Sequence, residues 1–354
     1  MIKPRKTVQN LKPYFVDERP CRIKLDANEG SNYLLSEDIV LSQLGANLYP
    51  DSDATGLRAK LASYYGCKKE NLIMGNGSSE LIHLVISTYC EAGDKVLTFT
   101  PGFSMYDVYC QLCEAQIVKL EAGADFSQNI DILIAEAVKI SPKVVILCNP
   151  NNPTGYVNSK QDVIKLLENI KDAVLVIDEA YADFEEESVI SEIENYDNLV
   201  VLRTMSKAFG LANLRVGCAV ARKEIIGDIW KVKVPYNLNG PSQILAELAL
   251  ENMDKISSYI SEVKAERQKL FEAIKSMVGQ EPDSKEEGVK VYPSGANFLF
   301  IKSPNLNLAE ELFKKGIAIR DFGGPLRGFY RITVGTPQEN REVIKALAEV
   351  FAVS

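Results

Sequence analysis

The sequence predicts an α/β fold, with a mostly parallel sheet in a large domain followed by a smaller α+β domain. Three observations support this class. Short apolar segments recur through the first two-thirds of the chain, amphipathic helical patterns separate them, and the pattern changes past about residue 240. We expect an N-terminal arm over residues 1–30 that packs with the small domain, a large domain over 31–245 and a small domain over 246–354.

The large domain begins with helical patterns and continues with buried strands. One helical stripe ends at Gly66, and a second runs from Leu81 to Thr88. Four apolar segments then lack polar alternation, which is typical of parallel strands that are buried on both faces. These segments are KVLTF (95–99), KVVILC (143–148), AVLVID (173–178) and NLVVLR (198–203). A further helix is expected after Gly217.

The small domain opens with a long, mostly helical stretch over residues 241 to about 277. The polar segment GQEPDSKEEG (279–288) predicts an exposed loop. The elements expected after it are the strands NFLFI (297–301), GIAIR (316–320) and YRITVG (330–335), and the helix AEELFKK (309–315). An amphipathic helix with apolar residues between 343 and 351 ends the chain.

Composition and charge narrow the class of protein. The 354 residues carry a formal net charge of −8, which argues against general nucleic-acid binding. No apolar run reaches membrane-spanning length, and the N-terminus lacks the apolar core of a signal peptide. The seven cysteines sit mostly in apolar runs. We therefore expect a reduced, cytoplasmic protein with buried thiols.

The single histidine and the cysteine spacing argue against two further classes of site. One histidine, His83, lies in an apolar helical pattern, which disfavours a Ser-His-Asp or Cys-His enzyme. Cys110 and Cys113 form a C-x-x-C, but a zinc site needs two more ligands at comparable spacing. We expect these cysteines to pack in the core and expect no metal.

Unusual polar groups follow the predicted strands. Ligands of open α/β sheets bind beyond the carboxyl ends of the strands, where these groups would meet. The segments that follow the four strands are TPGFSMY (100–106), NPNNPTG (149–155), DEAYADF (178–184) and TMSKAFG (204–210). They would bring six side chains to one rim: Phe103, Asn152, Asp178, Tyr181, Ser206 and Lys207.

A phosphate-binding segment is predicted near this rim. GNGSSE (75–80) opens the helix of Leu81, and a helix N-terminus presents free N–H groups to anions. Arg215, eight residues after Lys207, could pair with the same anion. Pyridoxal 5′-phosphate (PLP) needs an amine for its aldehyde, an acid for its ring nitrogen, donors for its phenolic oxygen and N–H groups for its phosphate. The predicted rim supplies each of these groups.

The chain resembles a known family in these segments. NPNNPTG, DEAYADF and SKAFGLANLRVG look like the signatures of fold-type I PLP-dependent aminotransferases, with matching order from about residue 24 to the C-terminus. Three further segments look like those of histidinol-phosphate aminotransferases, namely NLKPY (10–14), YPDSDATGLR (49–58) and VPYNLN (234–239). The finer match is less specific, because relatives that act on other amines share the same frame.

The resemblance implies an activity. It is the transamination of histidinol phosphate with 2-oxoglutarate, giving imidazole acetol phosphate and glutamate, in histidine biosynthesis. The alternative is an aminotransferase for aromatic or other amino acids, or a PLP enzyme for a phosphorylated amine such as threonine phosphate. The resemblance also implies a homodimer with shared active sites.

The resemblance further implies a role for each matching residue. Lys207 would bond to the cofactor aldehyde and then move the proton at the substrate Cα, and Asp178 would pair with the ring nitrogen. The other cofactor contacts would be Tyr181 and Asn152 at the phenolic oxygen, Phe103 on the ring, Ser78, Ser79, Ser206 and Arg215 at the phosphate, and Tyr49 at the phosphate of the neighbouring subunit. Substrate contacts would be Arg331 at the α-carboxylate of glutamate, and Arg320 and Tyr14 at the substrate phosphate.

The chain departs from the family pattern at three places. Many relatives have tyrosine at the position of Phe103, and stacking on the ring should be little affected by this change. An acidic residue is usual at the position of Ser79, and backbone N–H groups could still bind phosphate there. LDANEG (25–30) differs from the usual L-N-x-N-E, so nothing catalytic is assigned to Asp26.

Two other classes were weighed against the aminotransferase. A nicotinamide-dependent oxidoreductase would need G-x-G-x-x-G in a first strand-to-helix turn, and GNGSSE lacks the last glycine. A PLP-binding transcription regulator would need an appended basic DNA-binding module. Only about 25 residues precede the predicted fold, and the chain is acidic. Both observations favour the enzyme.

Overall fold

A computed structural model describes residues 22–25, 28, 48–185, 187–278 and 288–353. Tyr14, Asp26 and most of the predicted loop at 279–288 lie outside these residues, as does most of the predicted N-terminal arm. Their predicted roles are therefore not addressed by the structure.

Strands and helices alternate through the first part of the described chain. The strands are β1 Ile23–Leu25, β2 Leu72–Asn76, β3 Lys95–Thr100, β4 Gln116–Glu121, β5 Val144–Cys148, β6 Val174–Asp178, β7 Leu199–Thr204, β8 Val216–Ala221, β9 Lys290–Tyr292, β10 Phe298–Lys302, β11 Ile317–Asp321 and β12 Phe329–Thr333. The α-helices are α1 Thr55–Tyr65, α2 Ser78–Tyr89, α3 Met105–Leu112, α4 Ile130–Ile140, α5 Lys160–Asn169, α6 Lys223–Val232, α7 Gly240–Leu250, α8 Met253–Val278, α9 Leu308–Lys314 and α10 Pro337–Val353.

The larger sheet of the described chain has the strand order β2-β8-β7-β6-β5-β3-β4. Strands β4, β3, β5, β6 and β7 run parallel, while β8 runs antiparallel to both β7 and β2. The predicted α/β fold with a mostly parallel sheet is confirmed. Because β3, β5, β6 and β7 are parallel, their carboxyl ends meet at one edge of the sheet.

Both faces of this sheet are covered by apolar layers. Along β5, Val145 and Leu147 belong to one hydrophobic cluster, whereas Val144, Ile146 and Cys148 belong to another. Side chains alternate between the faces of a strand, so burial on both faces requires apolar residues at every position. This explains why the segment KVVILC has no polar alternation.

The helix expected after Gly217 is present at Lys223–Val232, but the strand before it, β8 Val216–Ala221, was not predicted. The segment VGCAVA is buried at every position and is hydrogen-bonded to β7 on one side and β2 on the other. Short apolar runs do not distinguish a buried strand from a helix by periodicity. Here the β-branched valines and the two neighbouring strand edges favour the strand.

The second sheet has the order β1-β11-β12-β10-β9 in the described chain. Strand β1 pairs in parallel with β11, and the other pairs are antiparallel. Leu270 and Ile274 of α8 and Leu347 of α10 pack against this sheet in one apolar cluster. The sheet is relevant to the site because Arg320 of β11 lies directly opposite Arg331 of β12. No helix among the residues that the structure describes is long and apolar enough to cross a membrane.

Candidate active site

A cavity of about 850 Å³ opens at the carboxyl edge of the larger sheet. It also borders the smaller sheet, through β11 and β12. Six of the residues singled out in the sequence line it: Phe103, Asn152, Tyr181, Lys207, Arg320 and Arg331. The loops after β3, β5, β6 and β7 therefore converge, as parallel strands require.

Lys207 lies in the loop between β7 and β8. Its Nζ is 5.7 Å from the centre of the Tyr181 ring, and both side chains line the cavity. Gly210, three residues later, has a φ of 65°, a left-handed conformation that favours glycine and lets the chain turn back towards β8. This turn leaves the lysine amine beside the aromatic ring at the cavity wall.

Asp178 is the last residue of β6 and is 3% exposed. Its Oδ2 accepts a 2.7 Å hydrogen bond from the Tyr106 hydroxyl, and its Oδ1 accepts a 3.3 Å bond from the backbone N–H of Ala180. Burial raises the pKa of Asp178, and these two donors partly oppose that effect. No lysine or arginine of the described chain forms an ion pair with this carboxylate.

Tyr106 is a residue of the site that the sequence reasoning missed. It is the last residue of TPGFSMY and lies three positions after Phe103, whose ring it meets edge-on at 5.6 Å. The usable signal was its place in TPGFSMY, the segment that follows β3 at the same edge of the sheet.

Tyr181 is held by a residue from the LDANEG segment. Its hydroxyl accepts a 3.2 Å hydrogen bond from Asn28 Nδ2. Asn28 Oδ1 in turn accepts a 2.9 Å bond from the Thr333 hydroxyl of β12. Burial raises the pKa of Tyr181 to about 12. The sequence reasoning also missed Asn28, which joins a loop of the larger sheet to the strand that carries Arg331.

Arg331 and Asn152 meet across the cavity. The Nη1 of Arg331 donates a 2.5 Å hydrogen bond to the Oδ1 of Asn152, and its guanidinium carbon lies 5.3 Å from the centre of the Phe298 ring. Arg320 faces the same cavity from β11, with its guanidinium carbon 5.8 Å from the Phe322 ring. Two guanidinium groups on neighbouring strands make this side of the cavity suited to anions.

The predicted phosphate site forms a separate cradle of backbone and side chains. Helix α2 begins at Ser78 after Gly77, which has a φ of 76° and gives the helix no side-chain cap. A Cβ on Gly217 would lie 2.4 Å from the backbone nitrogen of Ser78, and a Cβ on Gly77 would lie 2.5 Å from Arg215 Nη2. Both glycines are therefore required for β8 and Arg215 to approach the helix N-terminus.

The remaining predicted phosphate contacts fall around the same cradle. Arg215 Nη1 donates a 3.4 Å hydrogen bond to Ser206 Oγ, so two residues from the loop after β7 lie together. Burial raises the pKa of the Tyr109 hydroxyl, and the side chain of Ser79 partly opposes that effect. A helix N-terminus without a side-chain cap, an arginine and two serines form a donor set that fits a phosphate. Lys207 directly follows Ser206, and Asp178 ends the strand that pairs with β7, so the residues present fit PLP.

Tyr49 lies away from the cavity lining of this chain. It is 82% exposed and stacks on Tyr236, with ring centres 4.7 Å apart. Like Ser78, Ser79, Ser206 and Arg215, it is not among the residues that line the cavity.

Comparison with known proteins defines the class of protein first. The family model for aminotransferase class I and II matches residues 23–347. The chain belongs to this family and is a PLP-dependent aminotransferase.

The similarity extends to one group of enzymes within the family. Histidinol-phosphate aminotransferase of Clostridium novyi is 38% identical over 350 residues, which cover 97% of this chain and 96% of the relative. The histidinol-phosphate aminotransferase of Caldanaerobacter subterraneus is 36% identical, with 98% of both chains covered. A histidinol-phosphate aminotransferase of Sinorhizobium meliloti, solved in complex with PLP, has the same fold, with a TM-score of 0.85 at 22% identity over 100% of this chain and 98% of its own.

Proposed function

We propose that this protein transfers the amino group of histidinol phosphate to 2-oxoglutarate, giving imidazole acetol phosphate and glutamate in histidine biosynthesis. The observation that carries the proposal is the pair of arginines on neighbouring strands, Arg320 and Arg331, at the wall of the cavity that contains Lys207. One site must accept a phosphate monoester in one half-reaction and a dicarboxylate in the other. A guanidinium binds either anion through paired N–H groups.

The predicted rim would hold PLP by all of its functional groups. Bound there, PLP supplies an aldehyde that takes up the amino group and a protonated ring that draws electrons from the substrate Cα. The backbone N–H groups of Ser78 and Ser79, with Ser206 and Arg215, would hold the phosphate. Phe103 would lie against the ring.

We assign the catalytic work to Lys207, Asp178 and Tyr181, with Asn152 as a further cofactor contact. The amine of Lys207 would hold the cofactor through its aldehyde carbon and would move a proton to and from the substrate Cα. The carboxylate of Asp178 would hold the proton on the ring nitrogen, because an anion in a buried site stabilises a neighbouring cation. Tyr181 and Asn152 would hydrogen-bond the phenolic oxygen.

A homodimer with shared sites is part of the proposal. Tyr49 is 82% exposed and is not among the residues that line the cavity of its own chain, which suits a residue that reaches the cofactor phosphate of a neighbouring subunit. Tyr49→Phe would then lower PLP affinity without loss of fold. A wild type that is monomeric and fully active would contradict the shared site.

We also propose the cytoplasm as location, the domain boundaries given above, and Tyr14 as a contact to the substrate phosphate.

The proposed function is tested by half-reactions of the PLP-loaded protein. Histidinol phosphate, glutamate, phenylalanine and threonine phosphate are mixed with it separately, and the absorbance of the bound cofactor is followed in single turnovers. We expect histidinol phosphate and glutamate to convert the cofactor, and the other two amines to react at least about tenfold more slowly, the range that a few kcal/mol of binding energy gives.

The alternatives are separate outcomes of the same experiment. Fast conversion by phenylalanine with none by histidinol phosphate would indicate an aromatic aminotransferase. Release of carbon dioxide from threonine phosphate would indicate a decarboxylase. Either result leaves the class of PLP enzyme intact and removes the proposed substrate.

A further inference from the structure

A buried tyrosine at the cavity wall contacts the carboxylate of the site. Tyr106 is 1% exposed and lies in the first turn of α3. Its hydroxyl donates to Asp178 Oδ2 at 2.7 Å, while the backbone N–H of Ala180 donates to Oδ1 at 3.3 Å. One donor on each oxygen fixes the plane of the carboxylate. The edge-on contact with Phe103 fixes the tyrosine ring in turn.

The charge state of Asp178 depends on such donors. A buried carboxylate without a cationic partner favours its protonated form, and burial raises the pKa of Asp178 accordingly. A protonated carboxyl group gives little stabilisation to a cationic ring. Hydrogen bonds to the ionised form oppose the protonation, and the bond from Tyr106 is the shorter of the two.

Tyr106 is suited to remain a donor. Burial, followed by the negative charge of Asp178, raises the pKa of the Tyr106 hydroxyl well above its ordinary value. The hydroxyl therefore keeps its proton throughout the neutral pH range. Because the phenol holds its proton far more tightly than the carboxyl group does, the phenol donates and the carboxylate accepts.

We propose that Tyr106 is a positioning residue that keeps Asp178 ionised and orients it towards the ring nitrogen of the cofactor. The inference rests on the proposed role of Asp178, and it is independent of which amine the enzyme accepts. Tyr106 itself does not touch the reacting atoms in this arrangement. It acts on the reaction through the carboxylate.

The test compares two substitutions that each remove one phenolic oxygen. Tyr106→Phe keeps the ring and its contact with Phe103. Tyr89→Phe is the matched control, because the Tyr89 hydroxyl is buried in α2 without a hydrogen-bond partner among the described residues. Equilibrium affinity for PLP is measured from about pH 5 to 9, together with the pH profiles of kcat and KM.

The expected result is a shift along the pH axis. Loss of a hydrogen bond to a charged group should move the acid limb of both PLP affinity and kcat upward by about 1–2 pH units in Tyr106→Phe. The KM for the amine should change little, since the arginine pair is untouched. Tyr89→Phe should follow the wild-type profile. A Tyr106→Phe profile that coincides with wild type would overturn the inference, and so would a loss of affinity that is equal at every pH.

Thermal unfolding of the apo-protein shows whether Tyr106→Phe folds. A second comparison tests the inference even if that variant does not fold. Asp178→Asn and the double variant Asp178→Asn/Tyr106→Phe contain no buried carboxylate at this place. Their PLP affinities should agree within about twofold, because coupled residues lose their separate effects once the shared partner is gone. A large further loss in the double variant would overturn the inference. Absence of pH-dependent PLP binding in the wild type would instead remove the cofactor role of Asp178.

Discussion

Two buried acidic sites lie side by side at the end of β6, and only one of them has a cation within the described chain. Glu179 forms an ion pair with Arg203, with 2.9 Å between Oε2 and Nη1, and Asp183 Oδ1 contacts Nη2 of the same guanidinium. Arg203 is 5% exposed and lies 5.2 Å from the ring of Tyr65. The adjacent Asp178 has a tyrosine hydroxyl and a backbone N–H instead.

The difference separates a structural cluster from a site that needs a ligand. Arg203, Glu179 and Asp183, named here the Arg203 cluster, form a charge network within the chain. Burial raises the pKa of both carboxylates, and their shared guanidinium partly offsets that effect. Asp178 is also buried, and it has no ionic partner among the residues that the structure describes. We infer that its partner arrives with the cofactor, and that changes to the two sites will separate activity from folding.

The largest expected effect is on activity, from Lys207→Ala. The variant should fold and bind PLP through the phosphate contacts, but it lacks the amine that bonds to the cofactor and moves the proton. Loss of both functions should lower kcat by about a thousandfold or more. The measurement is single-turnover conversion of the cofactor by glutamate, with the exposed Lys139→Ala as control. Near wild-type turnover would mean that another group performs this role.

The second effect is on folding, from Arg203→Met. Removing the guanidinium leaves two buried carboxylates without their cation, which should lower the free energy of unfolding by about 3–5 kcal/mol. The control is Arg58→Met, since Arg58 is also buried but donates to a backbone carbonyl, Lys69 O, at 2.8 Å. Urea unfolding of both variants measures the difference. Equal losses in the two variants would show that side-chain packing, and not charge, explains the Arg203 cluster.

A third, smaller effect tests the anion-binding wall. Arg331→Lys replaces a planar pair of donors with a point charge and removes the bond to Asn152. Both half-reactions should lose about tenfold to a hundredfold in kcat/KM, while PLP affinity stays close to wild type. Arg320→Ala should slow one half-reaction more than the other. Unchanged rates in Arg331→Lys would place the anion site elsewhere.

The sequence predicted those strands and helices that are determined by the pattern of neighbouring residues. Strands such as KVVILC were predicted because burial on both faces removes polar residues, and the groups that line the cavity were predicted because parallel strands share one carboxyl edge. Strand β8 was not predicted, because its short apolar run does not distinguish a strand from the start of the helix that follows it. Whether it pairs with β7 and β2 depends on tertiary contacts that periodicity does not contain.

The supporting residues of the site were beyond local reasoning. Asn28 and Tyr181 are separated by 153 positions, and Tyr106 and Asp178 by 72. In the sequence, Arg203 is one polar residue near the end of an apolar strand, and the residues around it do not predict its two carboxylate partners. Contacts of this kind arise only when the sheet has formed. Tyr49 differs again, since the partner proposed for it belongs to another subunit.

The smallest expected effect sharpens the contrast between the two acidic sites, and it concerns the apo-protein. Burial raises the pKa of Asp178 in the folded state. Between the unfolded pKa of about 3.9 and the higher folded value, the native state binds more protons than the unfolded chain. The stability contributed by Asp178 is therefore lost as the pH rises through this window.

Asp178→Asn removes that loss while keeping the size of the side chain. The apo-variant should match wild type near pH 4 and become more stable than wild type as the pH rises, by about 0.5–2 kcal/mol, the range of stabilising single substitutions. With PLP bound the order should reverse, because the cofactor then supplies the cation that the carboxylate lacks. Urea unfolding at several pH values, with and without PLP, measures both differences. If the apo-variant is less stable than wild type at neutral pH, Asp178 is already compensated within the chain, and it then resembles the Arg203 cluster.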